Sequence, residues 1–185
     1  MSYRRHDIIE RAVDVLDEVG LESLSMRRLG TELGVQASAL YHHVANKQTL
    51  LGLMADEILA RGRRAADPVD PSLAWDAQVV SVCAELRASM LACRDGAEVV
   101  ATGYAFGYGA DTPASELRAV LATAGFTEDL VAVGSSTLLH YVFGHATEEQ
   151  TTLQADALGA KRAPRPDSDF DQGLALILDG LRARL

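Results

Sequence analysis

Apolar residues recur at three- to four-residue spacing along almost the whole chain, and no stretch alternates with the two-residue period of a strand. Ile8, Ile9, Ala12, Val13, Leu16 and Val19 predict a helix over 5–19 with one core face, closed by Gly20. Ser25 suits the N-cap of a short helix carrying Leu29 and Leu33, ended by Gly34. A third short helix is expected over about 37–44, and Asn46 caps a fourth with Leu50, Leu51, Met54 and Ile58 facing inward. AADPVDPS (65–72) breaks the pattern with two prolines. Trp75, Val79, Val82, Leu86 and Met90 then mark a long helix, and Gly96 a turn. The Gly-rich 104–113 reads as a loop. Further helices are expected from Ser115 to Ala124, from Thr127 to about Gln150, and over 170–184, with a polar, mobile connection over 151–169. The fold class is all-α.

Composition bears on what such a helical chain can bind. Of 185 residues 48% are apolar and 23% charged, an ordinary globular balance, and the length is enough to bury roughly 70% of the unfolded surface. The net charge of −9 is unevenly placed. Residues 1–64 hold nine basic and nine acidic side chains, whereas 65–185 hold eight and seventeen, so the two parts have different partners. The two cysteines, Cys83 and Cys93, have no zinc-type spacing. The opening residues lack the apolar core of a secretory signal, and no run reaches 18 uninterrupted apolar residues. These features predict a reduced, cytoplasmic protein that does not enter a membrane.

The stretch LSMRRLGTELGVQASALYHHVANKQTLL (24–51) carries the functional signal. Two short helices joined by a tight turn at Gly34 match the unit that lays one helix across a DNA backbone and the next into the major groove. Spacing alone also fits an ordinary pair of packed helices. The residue types favour DNA. In the second short helix only Leu40 and Val44 are plainly inward. Gln36, Ala37, Ser38, Ala39 and His42 are small or hydrogen-bonding and suit base edges. Arg27, Arg28, Tyr41 and Lys47 suit phosphates. Lys47→Ala is then expected to weaken binding to all sequences alike.

At these residues the chain resembles the TetR (tetracycline-repressor) family, of which LYxHVxNKxxLL is characteristic. The resemblance spans roughly 5–60 and continues through WDAQVVSVCAELRASMLACRDGAEV (75–99), HYVFGHATEEQ (140–150) and FDQGLALILDGLRARL. It implies a helix–turn–helix head over 1–47, a connecting helix over 48–64, and a ligand-binding and dimerisation body over 65–185. It implies a homodimeric repressor that binds a palindromic operator on double-stranded DNA and is released by a small effector. The family's founding member binds a Mg²⁺–drug chelate through a histidine and, through water, a glutamate matching Glu148. Here the histidine's place holds Val100, so no metal and no cofactor is expected. Pocket residues carried over by position are Val82, Leu86, Val100, Gly103 and His140, with Tyr104, Phe106 and Tyr108 of the Gly-rich loop closing over the ligand. Their apolar character favours an apolar, polycyclic effector.

Other chemistry has weaker support. His145 with Glu148 and Glu149 shares a helix face at metal-ligand spacing, but the same residues suit a polar surface. Ser135, Ser136 and His140 place Ser and His one turn apart, yet no GxSxG elbow and no sheet accompany them, so no catalysis is expected. A helical ligand-binding protein whose head does not read DNA is the alternative reading. Dimerisation through a four-helix bundle, two helices per subunit, is assigned to Leu138, Leu139, Val142, Gly173, Leu174, Ile177, Leu178 and Leu181, which offer more apolar surface than one small body needs; the alternative is that the same residues only fill the core of the single chain.

Overall fold

The structure, a computed structural model, describes residues 3–107, 111–157, 159 and 169–185. Among these residues the chain is all-helical, as expected. The helices are α1 (Arg5–Val19), α2 (Met26–Glu32), α3 (Ala37–Leu40), α4 (Lys47–Ala65), α5 (Trp75–Leu91), α6 (Gly96–Ala105), α7 (Asp111–Thr123), α8 (Glu128–Ala157) and α9 (Asp169–Arg182). They form two compact units, one of residues 1–66 with 88–111, the other of 67–87 with 112–185.

In the first unit α1 packs on α4, and α4 on α6. Ile8, Ala12, Val13 and Leu16 of α1 are buried, as are Leu50, Met54, Ala55 and Ile58 of α4 and Ala97, Val99 and Val100 of α6. Burying one such Leu or Ile contributes roughly 1.5–3 kcal/mol, which gives these helices their stability. The turn at 93–96 is tied to the end of α1 by main-chain donors. Arg94 N–H donates to Asp17 Oδ1 at 2.8 Å, and Leu21 N–H donates to Asp95 Oδ2 at 2.7 Å. Asp95 holds φ 57°, a left-handed conformation that aspartate tolerates better than most residues.

In the second unit α8 and α9 pack antiparallel: Gly134 lies against Leu181, and Gly173 against Tyr141. Trp75 meets Phe126 edge-on, with ring centroids 5.1 Å apart. Arg182 of α9 donates to Asp76 of α5.

The residues expected at a dimer interface also pack within the single chain. Leu138, Leu139, Val142, Leu174, Leu178 and Leu181 are buried within the single chain, at 0–7% exposure, where they build the core of this unit. Ile177 is half-buried. Gly173 allows close approach to Tyr141 of its own chain, since a Cβ there would sit 2.2 Å from the phenol oxygen.

Three boundaries also differ from expectation. The turn at Gly96 opens a helix, α6, held by its buried Ala97, Val99 and Val100. Helix α7 is described from Asp111, four residues before the expected start, and Pro113 near that end lacks an N–H where its loss does little harm. Helix α8 runs on to Ala157 through a polar stretch. Thr151 and Thr152 bond their hydroxyls back to the carbonyls of Thr147 and Glu148, which keeps those hydroxyls satisfied inside the helix. Tyr108 and the rest of the expected connection, residues 158 and 160–168, lie outside the described residues.

Candidate nucleic-acid interface and effector-binding residues

Helix α3, the expected recognition helix, is too short to hold itself. An isolated helix of four residues has no stability in water, so α3 depends on its surroundings. Ser25 caps α2 by accepting the Arg28 N–H at 3.1 Å. The chain then turns at Gly34, whose φ of +66° suits glycine, and Val35 N–H donates to Gly30 O at 2.9 Å. Gly30 has no room for a side chain, because a Cβ would meet the Val35 carbonyl at 2.8 Å. Leu40 and Val44, each 1% exposed, anchor α3 and the turn after it from below.

The expected DNA-contacting residues are then sorted by exposure. Arg27, Arg28, Gln36, Ser38, Ala39, Tyr41, His42 and Lys47 are exposed, with Tyr41 among the most exposed large side chains. Ala37 is half-buried, turned toward Gly30 of α2. His43 is also exposed. Asn46 caps α4 by accepting the Thr49 N–H at 2.8 Å. Lys47 Nζ donates to Leu24 O at 2.9 Å, a contact the sequence gives no sign of.

The expected effector-binding residues fall in both units. In the first, Val100 is fully buried, Gly103 is buried, Tyr104 is half-buried and Phe106 is 61% exposed at the end of α6. In the second, Val82 and Leu86 are each 3% exposed and His140 is exposed on α8.

The second unit holds a cluster of which the sequence gives no sign. Arg87 of α5 donates to both carboxylate oxygens of Glu149 of α8, at 2.8 and 2.6 Å, and its guanidinium lies 4.9 Å from the ring centre of Phe170. Tyr141 stacks on the same ring and donates its hydroxyl to Phe170 O at 2.8 Å. Burial, followed by the nearby Asp169 and Asp171, pushes the Tyr141 phenol above its usual pKa. His145 meets Phe170 edge-on, and its buried Nδ1 makes no hydrogen bond, with Glu149 Oε2 3.5 Å away. Glu149 is therefore a partner of arginine. Among the described residues no three His, Cys, Asp or Glu side chains form a metal-binding group. Burial pushes both thiols, Cys83 and Cys93, up to about 12, so they stay protonated and unreactive.

Two family models match the chain. "Bacterial regulatory proteins, tetR family" covers residues 8–54, and "Tetracyclin repressor-like, C-terminal domain" covers 67–169. The chain belongs to the TetR family. Relatives match this TetR-family chain nearly end to end. The Escherichia coli tetracycline repressor protein class A from transposon 1721 is 33% identical over 96% of this chain and 89% of its own length. The crystal structure of Mycobacterium smegmatis BioQ is 37% identical, covers all of both chains and superposes with a TM-score of 0.89. BioQ with its natural double-stranded DNA operator gives 35% identity over 98% and 99% of the two chains, with a TM-score of 0.85. Streptomyces coelicolor ActR in complex with actinorhodin gives 29% over 99% and 98%, with a TM-score of 0.76. The exposed row from Arg27 to Lys47 lies within the TetR head match. Among the described residues of this TetR-family chain, no helix is long and apolar enough to cross a membrane.

Proposed function

We propose that this chain is a ligand-responsive transcriptional repressor that binds a palindromic operator as a homodimer and leaves it when a small, apolar effector binds. The observation that carries this reading is the exposed polar row around α3. Gln36, Ser38, Ala39 and His42 stand toward base edges, while Arg27, Arg28, Tyr41 and Lys47 take phosphates. The head comprises 1–47, the connecting helix 48–64 and the body 65–185.

One recognition helix reads a short half-site, so specificity needs two heads about 34–36 Å apart. With the leucines of α8 and α9 buried in the chain's own core, the self-complementary surface falls on the exposed faces of those helices. Val133, Thr137 and Gly144 recur there at helical spacing on α8, and Val133 is 64% exposed. Leu176 of α9 is 74% exposed. The effector role of Val82, Leu86, Val100, Gly103 and His140 rests on their positions in the family pattern, and that of Tyr104 and Phe106 on their aromatic faces at the end of α6. Val100 cannot ligate a metal, so effector action is expected not to require one.

Selection of bound fragments from genomic DNA, followed by gel shifts at several salt concentrations, tests the reading. A specific, salt-sensitive complex with a palindrome supports it. Ligand binding without specific DNA binding would favour a helical ligand-binding protein. Effector-driven release is expected to proceed unchanged in EDTA. A strict Mg²⁺ requirement would show that metal takes part.

A further inference from the structure

We infer that Lys47 is a positioning residue for the recognition helix as well as a phosphate anchor. This rests on the DNA-reading function proposed above. Lys47 is the first residue of α4, and its Nζ donates to the carbonyl of Leu24 at 2.9 Å. Leu24 immediately precedes Ser25, the cap of α2. The bond therefore joins the two ends of the segment 24–47, which contains α2, the turn and α3.

The starts of the two flanking helices are fixed independently, by the Ser25 cap on α2 and the Asn46 cap on α4. Lys47 links one fixed start to the other. Between them α3 is only four residues long, and the spacing of its flanking helices decides where its side chains stand. A hydrogen bond from an ammonium is charge-assisted and stronger than a neutral one. An ammonium has three N–H donors. One is spent on Leu24, and two remain, with the full charge, for a phosphate.

A pure phosphate anchor and a positioning residue predict different things. The anchor contributes equally on any DNA. The strut also governs how well Gln36 and Ser38 meet their bases, so its loss lowers the preference for operator over unrelated sequence. The test compares Lys47→Met, which keeps the length and loses the donor, with Lys47→Arg, which keeps charge and donors. Affinities for operator and scrambled DNA are measured from 50 to 300 mM salt. In the Met variant the operator preference is expected to fall about tenfold, and the salt slope to flatten by about one unit. The Arg variant is expected to keep the operator preference within about threefold and the salt slope unchanged. A Met variant that keeps the operator preference while its salt slope flattens would reduce Lys47 to an anchor and overturn the proposal.

Amide exchange in the free protein reads the strut without DNA. Exchange across 35–44 is expected to quicken in the Met variant while α1 is unchanged; unaltered exchange there would also overturn it. Absence of any operator preference in the wild type, with quickened exchange in the variant, would instead strike at the DNA-reading function.

Discussion

Gly62 of α4 and Ser89 near the end of α5 approach so closely that a Cβ added at Gly62 would lie 1.8 Å from the Ser89 hydroxyl oxygen and 3.0 Å from its Cα. Ser89 is buried at 3% exposure, so the clash has no easy escape into solvent. Gly62→Ala must separate the two helices or distort one of them. We expect a loss of about 1–3 kcal/mol, the usual cost of overpacking, read as a lower thermal midpoint. Pairing it with Ser89→Gly is expected to recover a large part. An additive double variant would show that the contact is not the cause.

Base-facing and phosphate-facing residues of the head are expected to separate by their salt dependence. Arg27→Ala and Arg28→Ala each weaken binding to all sequences and flatten the salt slope by about one unit. Gln36→Ala and Ser38→Ala leave the slope alone and change which base pair is preferred, by roughly 1–3 kcal/mol. Competition titrations against single-base operator variants measure both, and an altered slope for Gln36→Ala would reverse the assignment.

The start of α5 and the end of α9 are joined by a carboxylate whose charge is favoured by folding. The Arg182 guanidinium holds the Asp76 carboxyl below the usual aspartate range, with the Ala77 N–H adding to it. A depressed folded pKa contributes stability above the unfolded value, and that stability is lost as pH falls through the folded one. Asp76→Asn is therefore expected to be less stable than wild type at neutral pH, by under about 1 kcal/mol for so exposed a pair. The gap should close as pH drops below about 3.9. Denaturant midpoints taken across pH provide the measurement, and a gap that widens in acid would refute the linkage.

Substitutions on α8 and α9 distinguish inner from outer faces. Leu178→Arg places a charge in the core of the second unit, where the residue is 3% exposed, and is expected to unfold that unit. Val133→Glu and Leu176→Glu lie on the outer faces and are expected to give folded monomers that no longer hold the operator. Sedimentation and circular dichroism report on the two properties separately. Dimers from both glutamate variants would place the subunit interface elsewhere.

Much of this architecture was legible in the sequence. Helical periodicity is a local property, so α1, α4, α5 and α9 could be read directly, with the caps at Ser25 and Asn46. Glycine misled where its role was close packing: Gly96 opens a helix under the Met90 carbonyl, which leaves no room for a Cβ. The apolar residues of α8 and α9 marked a core-forming face, but a one-chain core and a two-chain core have the same period. Only burial separates them. The cluster of Arg87, Glu149 and Phe170 joins residues 62 and more positions apart, and no spacing rule reaches that far. Lys47 carried a charge that suited phosphate, and nothing in the sequence pointed to its bond with Leu24.

The pair of main-chain ties between the end of α1 and the 93–96 turn bears on grafting this DNA-reading part onto another protein. The Pro-rich break at 65–72 looks like the place to cut. Yet the compact unit that holds α1 to α4 also takes in residues 88–111. A transplant ending at residue 66 strips Asp17 of the Arg94 N–H and Leu21 N–H of the Asp95 carboxylate. It also lays bare the face of α4 that α6 covers. A workable fusion must bring the turn and α6 along with the head, or supply a host whose own turn offers an N–H and a carboxylate in the same places.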